Sequence, residues 1–233
     1  MRMLKRFLSV LCVCGLAAPA AAENDDDFVE ANLLAVLYHE LGHAIIDIVG
    51  LPVFGQEEDA ADVASILLIN ELFGEEDATA IAYDAAFGFL GEAAASSGEA
   101  AWWDVHGPDL QRYYTLVCLF AGADIDSRED VATELGLPDE RLETCEEEFA
   151  LATDSWGPVF DGLSEVAPGQ SMTYVGGTTS LTERLVTQEV AALNEDFVLP
   201  DALSIIVEPC DEPNAYYDPG TREIVVCSEF EDW

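Results

Sequence analysis

Residues 28–49 read FVEANLLAVLYHELGHAIIDIV, and this stretch decides how the chain folds. It predicts one long helix that is apolar on nearly every face and is ended by Gly50 and Pro52. A helix of this kind lies at the centre of a protein, covered by other elements. The polar side chains within it, including His39 and His43, argue against a membrane-spanning helix.

The pentapeptide HELGH at 39–43 has the spacing of a metal site. His39 and His43 are four positions apart, so both imidazoles lie on one helical face and can share an ion. Glu40 projects beside that face. There its carboxylate can take a proton from a zinc-activated water and later deliver it to a leaving amine. We therefore expect one zinc ion per chain and hydrolysis of peptide bonds, with Glu40 as the general base.

The next predicted helix, starting near residue 57, offers a third metal ligand. Glu58 and Asp62 are four positions apart and share one helical face. We expect Glu58 to bind zinc and Asp62 to accept a hydrogen bond from a ligand histidine, which fixes its tautomer. Glu57, Asp62 and Asp47 remain alternative third ligands.

Two further details bear on this ligand set. The longer pattern HExxHxxGxxH is excluded, because Ile46 and Val49 occupy its glycine and final histidine positions. Glu57 and Asp59 are interpreted as solvated acids in the first turn of the second helix, where the helix dipole favours negative charge.

His106 is the second candidate catalytic residue. It lies between two predicted helices, where it can stabilise a developing oxyanion. The alternative is structural, a cap on the following helix or a bond to Asp104 or Asp109, and the sequence favours it because nothing fixes the distance to the metal helix. For Arg112, an internal ion pair is favoured over binding a substrate carboxylate.

Aromatic residues near these candidates have simpler interpretations. Trp102 and Trp103 are expected to anchor their loop. Tyr216 and Tyr217 can donate to an oxyanion if their hairpin borders the cleft; otherwise one of them packs into the core.

Three long segments resemble a bacterial "putative metallopeptidase" family classed as a domain of unknown function. They are residues 38–62, residues 102–122, and the pair 192–201 and 210–227. The HExxH motif followed by ExxxD on the next helix is similar to the gluzincin type of zinc peptidase. The resemblance implies a zincin-like fold, zinc, and peptide or protein substrates.

The C-terminal segment departs from the zincin order. Residues 214–227, NAYYDPGTREIVVC, resemble the edge strand that lines the substrate cleft in zincins, where it precedes the metal helix. Here the segment follows that helix. Either the order is permuted and Ile224 to Cys227 still line the cleft, or this strand has another role.

The fold class expected from these patterns is α+β, mainly helical and zincin-like, with a small sheet or hairpin near the C-terminus. We divide the chain into a signal peptide, a helical zinc-binding catalytic region, a linker or weak hairpin, and a helix with a β-hairpin that completes the same domain. Their bounds are 1–22, 23–165, 166–180 and 181–233. Pro138 and Gly157–Pro158 are expected to interrupt the acidic helices of the catalytic region.

The N-terminus predicts export to the periplasm or the extracellular medium. Residues 1–22 combine a basic start, a short apolar run and small residues before Glu23. Their removal leaves five arginines against 47 acidic residues, a net charge of about −42. That charge excludes nucleic-acid binding and is suited to a saline environment. We expect no stable membrane insertion after cleavage, and the oligomeric state stays undetermined.

Four cysteines remain after this cleavage: Cys118, Cys145, Cys210 and Cys227. An even number in an exported chain favours two disulfides, for which three pairings exist. Proximity in sequence favours Cys118–Cys145 and Cys210–Cys227.

Two other functions remain open. The chain can be a non-catalytic zinc-binding or interaction protein on a zincin scaffold, although binding alone does not require Glu40. It can also be an amide hydrolase that processes its own precursor.

Overall fold

The computed structural model describes residues 25–95 and 102–232, so the predicted signal peptide lies outside the described part. The described chain is a mainly helical α+β protein, as expected. Its helices are α1 (Asp25–Val49), α2 (Glu57–Leu72), α3 (Glu75–Ala95), α4 (Asp109–Gly122), α5 (Ile125–Glu134), α6 (Asp139–Ser164) and α7 (Leu181–Asp196). Its strands are β1 (Met172–Val175), β2 (Leu203–Glu208), β3 (Ala215–Asp218) and β4 (Glu223–Cys227), followed by a 3-10 turn at Ser228–Asp232.

Helix α1 is the central element. It packs against α2 and α3 on one side and against β3 and β4 on another. Leu33, Tyr38 and Ala44 are completely buried along it. By length and hydropathy α1 could cross a membrane, but 72% of its most apolar window is buried inside the protein. The apolar residues of α1 are therefore accounted for by the protein core.

The four strands form one sheet in the order β1-β2-β4-β3. β2 runs parallel to both β1 and β4, while β3 is antiparallel to β4 and lies at the sheet edge. Residues 224–227 of β4 are buried, as expected for an inner strand. The sheet thus presents β3, and not β4, as its free edge beside α1.

Two expectations about the second half of the chain were wrong. The segment 166–180, interpreted as a linker or a weak hairpin, contains the single strand β1, which extends the sheet by pairing in parallel with β2. Helix α6 continues through Pro158, where a break was expected. Trp156, Phe160 and Leu163 are buried on either side of that proline, so tertiary packing outweighs the lost backbone hydrogen bond.

The disulfide pairing was predicted correctly. Cys118 and Cys145 join α4 to α6, and Cys210 and Cys227 join the loop after β2 to the end of β4. The first disulfide lies in the helical core. The second holds the base of the loop that carries β3.

Candidate metal centre

A close contact between α1 and α2 brings the two metal-site segments together. Gly50 ends α1 at a φ of 73°, and the chain turns back into α2. A Cβ atom on Gly42 would lie 3.0 Å from the Cα of Ala61 and 3.2 Å from its carbonyl oxygen. The glycine of HELGH therefore allows the backbone of α2 to approach the histidine face of α1.

Three donor atoms converge in the resulting cleft. Nε2 of His39 lies 3.1 Å from Nε2 of His43, and each lies 3.2 Å from Oε2 of Glu58. Among the described residues, these three side chains form a group that is arranged to hold a metal ion. Zinc ligands lie about 2.0–2.2 Å from the ion, so neighbouring donors in one tetrahedral shell are roughly 3.2–3.6 Å apart. The two imidazoles and one carboxylate fit such an ion in both chemistry and spacing.

Each histidine is oriented by a carboxylate on α2. Nδ1 of His39 is 2.7 Å from Oδ1 of Asp62, and Nδ1 of His43 is 2.9 Å from Oε1 of Glu57. These contacts favour the tautomer whose Nε2 lone pair faces Glu58. The contact of Glu57 contradicts its interpretation as a merely solvated acid.

Arg112 completes the support of His39 and has the internal ion pair that the sequence favoured. Its Nε and Nη2 atoms donate to the two carboxylate oxygens of Asp62, each at 2.8 Å. The guanidinium also lies over the ring of Phe89, 4.5 Å from the centroid. The contact is a bidentate, partly buried ion pair, the geometry in which arginine differs most from lysine.

Glu40 is buried beside the donor cluster. Its Oε1 lies 4.0 Å from Nε2 of His39. The backbone N–H of Tyr217 donates a hydrogen bond to the Glu40 carboxylate. Burial raises the pKa of Glu40, while the nearby histidines oppose this rise. A carboxylate with a raised pKa next to a metal site is suited to receiving and returning a proton.

His106 comes closer to the cluster than its structural interpretation required. Its Nε2 lies 3.0 Å from Oε2 of Glu58, and its ring stacks near His39 with centroids 6.5 Å apart. On the other side its Nδ1 is 3.4 Å from Oδ1 of Asp104, the contact that the sequence suggested. The side chain remains 47% exposed, so it lines the open side of the cleft.

The charges of the cluster are arranged for a cation. Burial lowers the pKa of His39, but hydrogen bonds with Asp62 and Glu58 outweigh it and raise that pKa from 6.5 to about 9. Hydrogen bonds from His106, His39 and His43 hold the pKa of Glu58 far below its usual range. Burial raises the pKa of Asp62, but its bonds with Arg112 and His39 lower it from 3.8 to about 2. The carboxylates around the two imidazoles thus place negative charge where a metal ion would bind.

The edge strand β3 forms the opposite wall of the cleft, with Asn214, Tyr216 and Tyr217 among its lining residues. Of the two alternatives left open for the C-terminal segment, lining of the cleft by Ile224 to Cys227 does not hold, because the cleft is lined by β3 and β4 lies one strand further into the sheet. The hydroxyl of Tyr217 donates to Oδ2 of Asp47 at 2.7 Å. Asp47 therefore faces Tyr217, which explains why it lies outside the donor set.

Exposed apolar side chains lie on the two loops that border the cleft. Trp102 and Trp103 are 82% and 86% exposed, so the expectation that they anchor their loop was wrong. Phe54, in the turn between α1 and α2, is 98% exposed. The side-chain amide of Gln56 donates to the backbone carbonyl of Asp104 at 3.5 Å, which joins this turn to the tryptophan loop. Large exposed apolar groups of this kind mark contact surfaces.

The fold and the cluster define a helical α+β protein with a candidate metal centre of two histidines and a glutamate. Residues 16–159 and 170–232 match the model of a family described as "Putative metallopeptidase". The chain belongs to this family. No curated protein and no solved structure gives a significant match. Family membership supports a peptidase role at this coarse level.

Two contacts of the site were not foreseen from the sequence. Glu57 pairs with His43, and the backbone of Tyr217 binds Glu40. The first had a signal, since Glu57 precedes Glu58 in the turn of α2 that faces α1. The second had none, because a backbone donor on a distant strand leaves no mark in side-chain patterns.

Proposed function

We propose that this protein is a zinc-dependent peptidase of the gluzincin type, in which His39, His43 and Glu58 hold the ion. The observation that supports this most strongly is the convergence of three donor atoms 3.1–3.2 Å apart with Glu40 beside them. A zinc ion in this position would acidify a water molecule and polarise the scissile carbonyl.

The remaining steps are carried out by side chains and a backbone group of the protein. Glu40 takes a proton from the attacking water and returns it to the leaving amine. The Tyr217 backbone N–H keeps the Glu40 carboxylate oriented toward the cleft. Asp62 and Glu57 bind Nδ1 of the two imidazoles, which would leave Nε2 of each free to hold the ion. These contacts fix the reacting groups before the substrate arrives, which is how a preorganised site lowers a barrier.

His106 is proposed as the group that stabilises negative charge on the carbonyl oxygen. It lies on the open side of the cluster, 3.0 Å from Glu58, where an N–H can reach a bound substrate. Removal of one such donor typically lowers kcat about 100- to 1,000-fold. His106→Ala should therefore lose turnover and keep its zinc. If the variant loses zinc instead, His106 serves to position Glu58.

Metal content and turnover test the proposal together. The purified chain should hold one zinc ion, and His43→Ala and Glu58→Ala should lose it. Glu40→Gln should keep the ion and lose hydrolysis of a mixed peptide library followed by mass spectrometry. Glu30→Gln is the matched control, since Glu30 is a partly buried glutamate of the same helix outside the cleft. Full turnover by zinc-loaded Glu40→Gln protein would refute the assigned role of Glu40.

A further inference from the structure

The cleft continues past the donor cluster into the helical part of the protein. It belongs to a cavity of about 1300 Å³ that includes both histidines of the motif and reaches residues buried among α1, α2, α3 and α4. At the level of the cluster its walls are polar, with Asp62, Glu92 and Arg112 among them. Deeper in, the lining changes to apolar side chains from the same four helices.

This deeper part, called the apolar shaft, is lined mainly by Val36, Ile66, Ala85, Phe89, Leu116 and Phe120. On each helix an apolar lining residue lies one helical turn from a polar one. Val36 precedes His39, Ile66 follows Asp62, Phe89 precedes Glu92, and Leu116 follows Arg112. The shaft therefore starts at the metal cluster and runs parallel to the helices.

The depth of the shaft can be read from α1. Asn32, at its inner end, is seven residues before His39, which corresponds to about 10 Å along a helix. The amide of Asn32 donates to the backbone carbonyls of Phe28 and Asp84, at 2.9 and 3.2 Å. Its polar group is thereby satisfied within the protein.

Helix α3 contributes three small residues to the lining, Ala82, Ala85 and Gly88, next to the large Phe89. Helices α2 and α4 contribute the larger Ile66, Leu116 and Phe120. Among the described residues that line the shaft, none deeper than Glu92 and Arg112 is charged. A concave apolar site with a few polar groups at one end is the usual form of a ligand pocket.

We infer that the apolar shaft receives a large apolar side chain of the substrate, next to the bond that is cleaved. This inference rests on the proposed peptidase function and names its substrate class. A charged side chain would lose its hydration in the shaft without gaining a partner, so it is disfavoured. A small side chain would leave the shaft unfilled. The exposed Trp103, Val105 and Tyr216, which line the same cavity at its entrance, suit an apolar segment of polypeptide.

The test uses capped tetrapeptides that differ only at one position beside the cleavable bond, with Ala, Leu, Phe or Glu there. The zinc-loaded protein should cleave the Leu and Phe peptides with a kcat/KM about 10- to 100-fold above the Ala peptide. The same order should appear in the dissociation constants for zinc-loaded Glu40→Gln protein, measured by calorimetry without turnover. Equal binding of the four peptides, or preference for Glu, would overturn the inference.

A variant that fills the shaft gives a second test. Ala85→Leu should lower the kcat/KM of the Phe peptide relative to that of the Ala peptide, while the zinc content stays at one ion per chain. Ala80→Leu is the matched control, because Ala80 lies on the same helix and is exposed. A Phe preference that survives in folded Ala85→Leu protein would place the pocket elsewhere.

The two proposals fail in different ways. Loss of turnover by the native chain with an intact binding preference would refute the peptidase function and retain the shaft. Turnover without any side-chain preference would retain the peptidase function and refute the role of the shaft. Because overpacking can prevent folding, the Glu40→Gln binding series decides the inference even when Ala85→Leu protein is insoluble.

Discussion

Arg112 donates two hydrogen bonds of 2.8 Å to the carboxylate of Asp62, and this pair lies directly behind a proposed zinc ligand. Asp62 in turn contacts Nδ1 of His39 at 2.7 Å. The arginine thus holds the carboxylate that sets the tautomer of His39, although it does not touch the donor atoms itself. The chain Arg112–Asp62–His39 links helices α4, α2 and α1.

The first prediction concerns this chain. Arg112→Gln should weaken zinc binding about 10- to 100-fold, because loss of an outer partner lets the ligand imidazole reorient. Arg112→Lys should restore little, since an ammonium group cannot donate in the same bidentate geometry. Competition with a chromophoric chelator measures the zinc dissociation constant. Arg222→Gln is the control, because Arg222 pairs with Asp201 at an exposed position. Equal zinc affinity in all three variants would contradict the positioning role.

The second prediction concerns Gly42. Its substitution by alanine would place a methyl group 3.0 Å from the Cα of Ala61 and force α1 and α2 apart. We expect a loss of about 1–3 kcal/mol in the free energy of unfolding, together with weaker zinc binding. Urea denaturation and chelator competition measure the two effects. Gly162→Ala, in the exposed part of α6 with no atom near the added methyl, should instead stabilise by about 0.5–1 kcal/mol. An unaffected Gly42→Ala protein would show that the contact between helices is not close.

The local patterns of the sequence were sufficient for the two helices of the metal site. The start of α2 was predicted near residue 57, and the structure begins this helix at Glu57 with an acidic first turn. The four-residue spacings of His39 with His43, and of Glu58 with Asp62, placed each pair on one helical face, and the structure brings the two faces together. In these places a local signal and the tertiary structure agree.

Non-local contacts were the part that sequence patterns could not reach. β1 has only four residues, and its partner β2 follows 31 residues later, so no local alternation distinguishes it from a loop. His106 lies in an irregular loop, where the chain direction, and hence its distance from Glu58, depends on packing. Pro158 was interpreted by its local cost, which the buried neighbours of α6 outweigh.

A third prediction follows from the net charge of about −42 that remains after residues 1–22. Mutual repulsion of the carboxylates should lower the melting temperature in dilute buffer. Raising the salt concentration from about 0.01 M to about 1 M shortens the screening length from about 30 Å to about 3 Å and should raise that temperature. Calorimetry in sodium chloride, with sucrose as an uncharged control, separates screening from general exclusion effects. A melting temperature that is insensitive to salt would contradict this account.

The last prediction compares the two disulfides, whose paired cysteines are 27 and 17 positions apart in the sequence. Loss of either bond should destabilise the fold by about 3–4 kcal/mol on the loop-entropy scale, and slightly more for the longer loop. Their effects on the active site should differ. Cys210–Cys227 closes the loop that carries β3, and Tyr217 of β3 donates its backbone N–H to Glu40.

Paired serine variants therefore separate stability from function. Replacing Cys118 and Cys145 should lower the melting temperature and leave kcat unchanged at temperatures where the protein is folded. Replacing Cys210 and Cys227 should lower kcat as well, while the zinc content stays at one ion per chain, because β3 supplies no proposed zinc ligand. Peptide turnover and metal analysis on the same folded samples distinguish the effects of the two double variants. If both double variants keep full kcat, the β3 loop positions Glu40 without help from its disulfide.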